Sequence, residues 1–232
     1  MQPPKPLRLL VATGAVVLAL VAVGCTIQNV NIRPPQYEGD STHIFGEVKN
    51  DTDGYAGRVQ MGVTGSLFDA RGIVIATPFF RVCPNMVKPH DAIPFSASYR
   101  GTSPVANYEL HLEIIPIAPV PDASLSISGV SVERDEHDSV HVLGMVTNTG
   151  SERYEDITVC AAFYDSSGKV DGFLINYPPD IDPGQTTSFD AVSLFESEPS
   201  SGAVSYRLWA QPREAGGWLD RAPVSTDKLP LE

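Results

Sequence analysis

The chain is expected to be all-β, with two similar sandwich domains in tandem behind one apolar N-terminal helix. Three observations predict this. A single uncharged apolar stretch opens the chain. The remainder repeats itself at a spacing of just under one hundred residues. Outside the opening stretch no segment carries a 3.6-residue apolar period, whereas short alternating runs bounded by Gly, Pro, Asn and Asp recur throughout.

Residues 9–23 are apolar except for Thr13 and Gly14, and Lys5 and Arg8 are the only charged residues before them. A basic start, an apolar centre and small residues at the far end describe a secretory leader. Ala22-Val23-Gly24-Cys25 resembles a bacterial lipobox, in which cleavage exposes a cysteine that is then lipidated; Cys25 is the lipidation candidate, and Ala22 stands where Leu is usual. Two readings follow for residues 1–25: a cleaved signal peptide with a lipid anchor, or an uncleaved helix. The window 9–27 is uncharged and approaches the ~20 residues that span a bilayer. Both place the body of the chain outside the cytoplasm, on the face of a bacterial cell envelope, with Lys5 and Arg8 inside.

The 232 residues carry a formal net charge of -12, which becomes -14 if the chain begins at Cys25, because Lys5 and Arg8 are lost and no acid with them. Such a surface repels nucleic acid and anionic headgroups, so neither is an expected partner. Twenty prolines and 19 glycines fit a body of short strands and many turns.

The repeat is explicit. His43-Ile44-Phe45-Gly46-Glu47-Val48-Lys49-Asn50 matches His141-Val142-Leu143-Gly144-Met145-Val146-Thr147-Asn148, 98 residues on. Leu67-Phe68-Asp69-Ala70-Arg71-Gly72 matches Phe163-Tyr164-Asp165-Ser166-Ser167-Gly168 at 96, Phe95 matches Phe189 at 94, and Tyr108 matches Tyr206 at 98 again. Drift that returns to its starting value places insertions and deletions in loops between fixed strands.

In order, each copy begins with an alternating strand, around Val30 and Ile32 or Val130 and Val132. Strands 43–49 and 140–147 follow, in which Gly46 and Gly144 mark a bulge or a close backbone approach. Turns begin at Asn50 and Asn148. Long strands are expected at 56–68 and 154–164. Asp69-Ala70-Arg71-Gly72 and its counterpart then form hairpin turns, with Asp capping and Gly at positive φ. Later strands are expected at 73–82, 92–99 and 107–115, and at 169–177, 186–193 and 203–211. About six or seven strands in some ninety residues fit an immunoglobulin-like or fibronectin-like sandwich. The domains are set at 27–116 and 124–212, with a linker at 117–123 and a C-terminal tail at 213–232. Pro119 and Pro121 stiffen that linker, so the second domain is expected to stand away from the first.

Gly144, Val146, Asn148, the Tyr164-Asp165 pair, Gly168, Pro183-Gly184 and Phe189 trace a frame that resembles the FxLYD domain of prokaryotic exported proteins. In the first copy Phe68 replaces the Tyr and His90 the Gly; Gly65 and Ala161 stand at the motif's opening Phe position. The resemblance implies a sandwich fold and no active site.

Searching for chemistry finds no nucleophile elbow, phosphate loop, CxxC or HExxH. Asn50-Asp51-Thr52-Asp53-Gly54 looks like a calcium loop, but Lys49 and Gln60 stand where an acid and a Glu are needed, so a solvated turn is the better reading. His43 and His141 occupy equivalent strand positions, which suggests a shared structural role. Asp69, Asp165 and Asp190 read as turn and surface acids. No metal, cofactor or catalytic residue is expected. Two buried free thiols are the default expectation for Cys83 and Cys160; a bridge across the domain interface, formed in an oxidising compartment, is the alternative. Of the adjacent rings Phe79 and Phe80, one should fill the core and the other, taken as Phe80, could meet a partner, as could Trp218. The expected function is that of a non-catalytic, membrane-tethered extracytoplasmic protein whose sandwiches bind another protein, as an accessory subunit of an envelope complex. The alternative is a lipoprotein that binds glycan or a small solute.

Overall fold

The computed structural model describes residues 27–32, 35–38, 40–57, 63–101, 103–112, 115–117, 120–193, 199–214 and 221–231. The leader, with Cys25, and Trp218 lie outside these residues. Among the described residues the chain is all strand and turn, and no helix is long and apolar enough to cross a membrane.

In the first half the strands are β1 (Ile27–Val30), β2 (Gln36–Glu38), β3 (Ser41–Asn50), β4 (Tyr55–Gly57), β5 (Val63–Phe68), β6 (Val74–Ala76), β7 (Phe79–Val82), β8 (Met86–Val87), β9 (Ala92–Arg100), β10 (Asn107–Leu112) and β11 (Ile115–Ile117). The second half comprises β12 (Leu125–Arg134), β13 (Val140–Asn148), β14 (Tyr154–Asp165), β15 (Val170–Asn176), β16 (Thr186–Ala191), β17 (Ala203–Glu214), β18 (Val224–Ser225) and β19 (Leu229–Pro230). All pairings between these strands are antiparallel. The first half holds a sheet ordered β1-β3-β9-β7 with β2 on β3, and two smaller sheets, β10-β5-β6 and β11-β4-β8. The second holds β12-β13-β16 and, facing it, β15-β14-β17 with β18 and β19 on β17.

The repeat survives in the register. Gly46 lies opposite Phe95 and Gly144 opposite Phe189. A Cβ at Gly46 would come within 2.7 Å of the Phe95 ring, and one at Gly144 within 2.5 Å of the Phe189 ring. Each glycine is therefore a close approach that lets a ring lie across the strand. Asn50 and Asn148 are fully buried and clamp matching turns. Asn50 Nδ2 donates to the Gly54 and Lys88 carbonyls, and Asn148 Nδ2 to those of Glu152 and Ile181. Asp69 Oδ1 accepts from the backbone N–H of Arg71 and Ile73; Asp165 Oδ1 accepts from Ser167 and Lys169. Gly72 and Gly168 take φ of 77° and 79°. Gly184, at 76°, has His90 as its counterpart at 58°, a conformation that costs a residue with a Cβ roughly 1–2 kcal/mol.

Several boundaries differ from expectation. The strand expected at 73–82 breaks into β6 and β7 at Thr77-Pro78. β6 stays with β5, while β7 crosses to β9. Pro has no N–H to continue the first ladder. The expected tail is partly built into a sheet: Val224–Ser225 and Leu229–Pro230 pair with β17, and Val224, Leu229 and Leu231 pack on the core of the second half. The expected spacer at 117–123 is pinned at both ends. Ile117 pairs with Tyr55, Asp122 meets Lys88 Nζ at 2.8 Å, and Ala123 N–H donates to Ala222. The second half is therefore not held away from the first. Proline stiffness is a local property, and apolar surface on the two halves overrides it by meeting.

Candidate interaction surfaces

Strand β14 shows how the halves meet. Its even and odd residues point to opposite faces. Val159, Ala161 and Phe163 enter the core between the two sheets of the second half, with Val142, Val146, Phe189 and Leu208. Cys160, Ala162 and Tyr164 enter a different cluster, which also holds Val170, Phe173 and Trp209 of the second half and Phe45, Val87 and Phe95 of the first. The sheet is buried on both faces, and β15 lies against β3 and β9. Fully burying an aromatic side chain contributes roughly 1.5–3 kcal/mol, so Phe173 and Trp209 alone supply a large share of the attraction.

Polar groups complete this junction. Tyr164 Oη donates to Glu47 Oε1 at 2.7 Å, and Asn31 Nδ2 donates to the other carboxylate oxygen. Burial, with the Glu47 carboxylate beside it, drives the Tyr164 pKa well above its ordinary value, so the phenol stays a donor. Lys228 Nζ sits 3.5 Å from the Tyr164 ring centre. Arg207 bonds Asp91 at 2.8 Å while its guanidinium stacks 4.7 Å from the Trp209 ring centre. Asn85 N–H donates to Gln211 Oε1, and Val170 N–H to the Asn31 carbonyl. Cys83 and Cys160 are joined by a disulfide across the junction, with Cα atoms 6.1 Å apart. The default expectation of two free thiols is therefore corrected: with Cys83 and Cys160 brought face to face by the docking of the halves, they are bonded.

Other expected site residues fall apart. Phe80 is buried, packed 6.3 Å from the Phe95 ring centre, so it is no partner contact. It pairs with Ala97 on β9, which turns its ring toward Gly65 and the core. His43 and His141 share a register but not a role. His43 is buried, bonded to Ser98 Oγ and stacked on Phe45. His141 lies at the surface, with Nδ1 2.8 Å from Asp190 and Nε2 3.6 Å from Asp135; the hydrogen bond to Asp190, then its charge, raises the imidazole pKa. Backbone N–H donors from Ser139 and His137 hold Asp135 below the ordinary carboxylate range. Asp69 and Asp165 serve their turns. Among the described residues no group of three or more His, Cys, Asp or Glu is placed to hold a metal.

Among the described residues, two depressions lie on the surface of the second half. One is a groove of about 1000 Å³ between β12 and the β19 edge, lined by Ile127, Val132, Phe163, Tyr206, Leu229 and Leu231. The other is the outward face of β13 and β16, where Leu143, Met145 and Ser188 line a depression of about 570 Å³ walled by Tyr177-Pro178-Pro179. Met145 is 39% exposed and Tyr177 62%. These residues had no motif to flag them. The signal for the junction was present, however: 157–164 reads ITVCAAFY, a near-continuous apolar run of the kind that marks a strand covered on both faces, whereas 63–68 reads VTGSLF and alternates.

No protein-family profile matches the chain, and neither does any curated protein. Among solved structures, the chain is similar to a β-glucuronidase from glycoside hydrolase family 2, at 11% identity and a TM-score of 0.27 over 93% of this chain and 26% of that one. The chain thus spans about a quarter of that enzyme's length.

Proposed function

We propose that this chain is a non-catalytic, membrane-tethered extracytoplasmic protein. Its tandem immunoglobulin-like sandwiches bind another protein, as an accessory subunit of an envelope or membrane complex. Residues 1–25 supply the tether, as a lipidated Cys25 or as a helix, and the FxLYD-like frame suits an exported protein without an active site. The observation that carries the reading is the junction itself. A disulfide between buried cysteines belongs to an oxidising compartment. Together with the buried Glu47–Tyr164 and the half-buried Arg207–Asp91 contacts it makes the two halves a rigid support for the exposed face of β13 and β16.

Intact mass of the protein from its own membranes should show cleavage before Cys25 with added acyl mass, or an uncleaved chain, and in either case two hydrogens fewer than the dithiol form. Affinity purification from solubilised membranes should return the same protein partner in independent preparations. Return of none would remove the protein-binding reading.

A second reading is favoured by Tyr177. An exposed ring beside Asn176, Ser188 and Asp190 could stack a sugar and bond its hydroxyls. A glycan array without a hit, with Tyr177→Ala and Trp218→Ala both neutral in binding assays, would dispose of it.

A further inference from the structure

We infer that the outward face of β13 and β16 in the second half is the partner-binding surface, and that it takes a β-sheet face bearing small and aromatic apolar residues with hydrogen-bond donors or cations. The inference rests on the protein-binding reading and names the surface and chemistry that reading leaves open.

The argument comes from the repeat. The first half already has this face occupied. On β3 the outward residues are His43, Phe45 and Glu47, and all three are buried, at 3%, 1% and 4% exposure. What covers them is the β15-β14-β17 sheet of the second half, which supplies the small residues Cys160 and Ala162, the rings of Tyr164 and Trp209, and the Arg207 guanidinium. The packing is head to tail: one face of the first copy meets a different face of the second. A heterologous contact of this kind leaves one unused face at each end. On the second half the unused face carries His141, Leu143 and Met145, the register equivalents of His43, Phe45 and Glu47. It keeps the apolar centre and adds Tyr177.

The electrostatics select the partner. Two side-chain pairs of the existing junction put the acceptor, Glu47 or Asp91, on the first half and the donor, Tyr164 or Arg207, on the second, while the Asn85 backbone N–H donates the other way, to Gln211. The open face is likewise edged by acceptors, with Asp190 and Asp135 beside His141. A second copy of this chain is a poor occupant. The free counterpart of its covering sheet, on β5 and β10, presents Thr64, Ser66, Glu109 and His111, polar residues where the second half has Cys160, Ala162, Arg207 and Trp209. In the register of the existing junction it would set Glu109, which stands where Arg207 does, against Gln185, which stands where Asp91 does, and the ion pair would be lost. A formal net charge of -12 on each copy disfavours self-association as well.

The test uses the full chain in its native membrane, with a photo-crosslinking phenylalanine analogue at Met145, at Tyr177 and, as control, at His111. The expected result is an adduct to one and the same protein from Met145 and Tyr177 but not from His111. The crosslinked peptide should map to a strand, with Lys or Arg exposed on the same sheet face. Met145→Asp should then weaken binding of that purified partner at least about tenfold, Met145→Leu should preserve it, and added salt should weaken it. Adducts from His111 alone would keep the protein-binding reading and overturn this surface. Adducts joining two copies of this chain would overturn the chosen occupant. No adduct from any position would overturn the inference, and a partner that still co-purifies would show that the broader reading survives it.

Discussion

Strands β3 and β13 share one residue pattern and stand in different surroundings. Both have Gly at the centre, opposite a Phe, and both end in a buried Asn that clamps the next turn. β13 is buried on alternate residues, as expected of a strand with one face in a core. β3 is buried almost throughout. The difference lies in what stands opposite the outward face, not in the strand's own geometry. Glu47, which would be an ordinary exposed acid on β13, is buried at the junction and held by Tyr164 and Asn31. The same holds in reverse for the covering sheet. Cys160, Ala162 and Trp209 replace the polar Thr64, Ser66 and His111, so only the second copy can cover a neighbour.

Removing the link between the copies should give the largest effect. The disulfide joins residues 77 apart in sequence. Closing a loop of that length stabilises by about 4.5 kcal/mol in the chain-entropy account. Replacing both Cys83 and Cys160 with Ala should lower stability by that order in denaturant titration; a change within error would mean that the noncovalent junction alone sets it. Next, Tyr164→Phe should cost about 1–3 kcal/mol, because it strips a donor from the buried Glu47. Phe68→Tyr, the reciprocal change in the first copy, should be nearly neutral, since the face equivalent to the junction is open there. Equal effects would show that the two sites are not as different as their burial implies. A smaller change of opposite sign is expected at His90. His90→Gly should stabilise by roughly 0.5–1 kcal/mol by relieving positive φ, although it loses an exposed contact to Asp53 worth little. Gly184→Ala should destabilise in mirror fashion.

The smallest effect concerns pH. The folded pKa of His141 is raised by its hydrogen bond to Asp190. Its contribution to stability is therefore fully present below the unfolded imidazole pKa, near 6.5, and is lost as pH rises through the higher folded value. Thermal unfolding between pH 5 and 8 should show a shallow decline that His141→Gln removes. NMR titration should find the His141 imidazole above the ordinary value; a value at or below it would mean that the Asp190 bond does not hold the imidazolium.

Much of the local structure was legible in the chain. The hairpin turns closed by Asp69 and Asp165, the positive-φ glycines at 72 and 168, and the tight glycines at 46 and 144 follow from residue chemistry at fixed offsets. So did the frame of the candidate surface, since β13 alternates as it should. Its content was less legible: Met145 and Tyr177 are exposed because no strand or ring among the described residues lies over them. Phe80 was misread for the same reason. Either ring of the Phe79-Phe80 pair could face inward until the crossing of β7 to β9 decided which.

By itself the amino-acid order determined that this protein is made of strands, that its body is a pattern written twice, and where most turns fall. These depend on contacts a few residues apart, namely side-chain alternation, the φ preference of glycine and the short reach of an Asp carboxylate. Tertiary structure alone decided that the copies dock, that Cys83 meets Cys160, that residues 224–225 and 229–230 extend a sheet and that, among the described residues, nothing covers the outward face of β13 and β16. Those outcomes depend on which large surfaces approach one another, and a surface is apolar or acidic in a useful way only relative to what covers it.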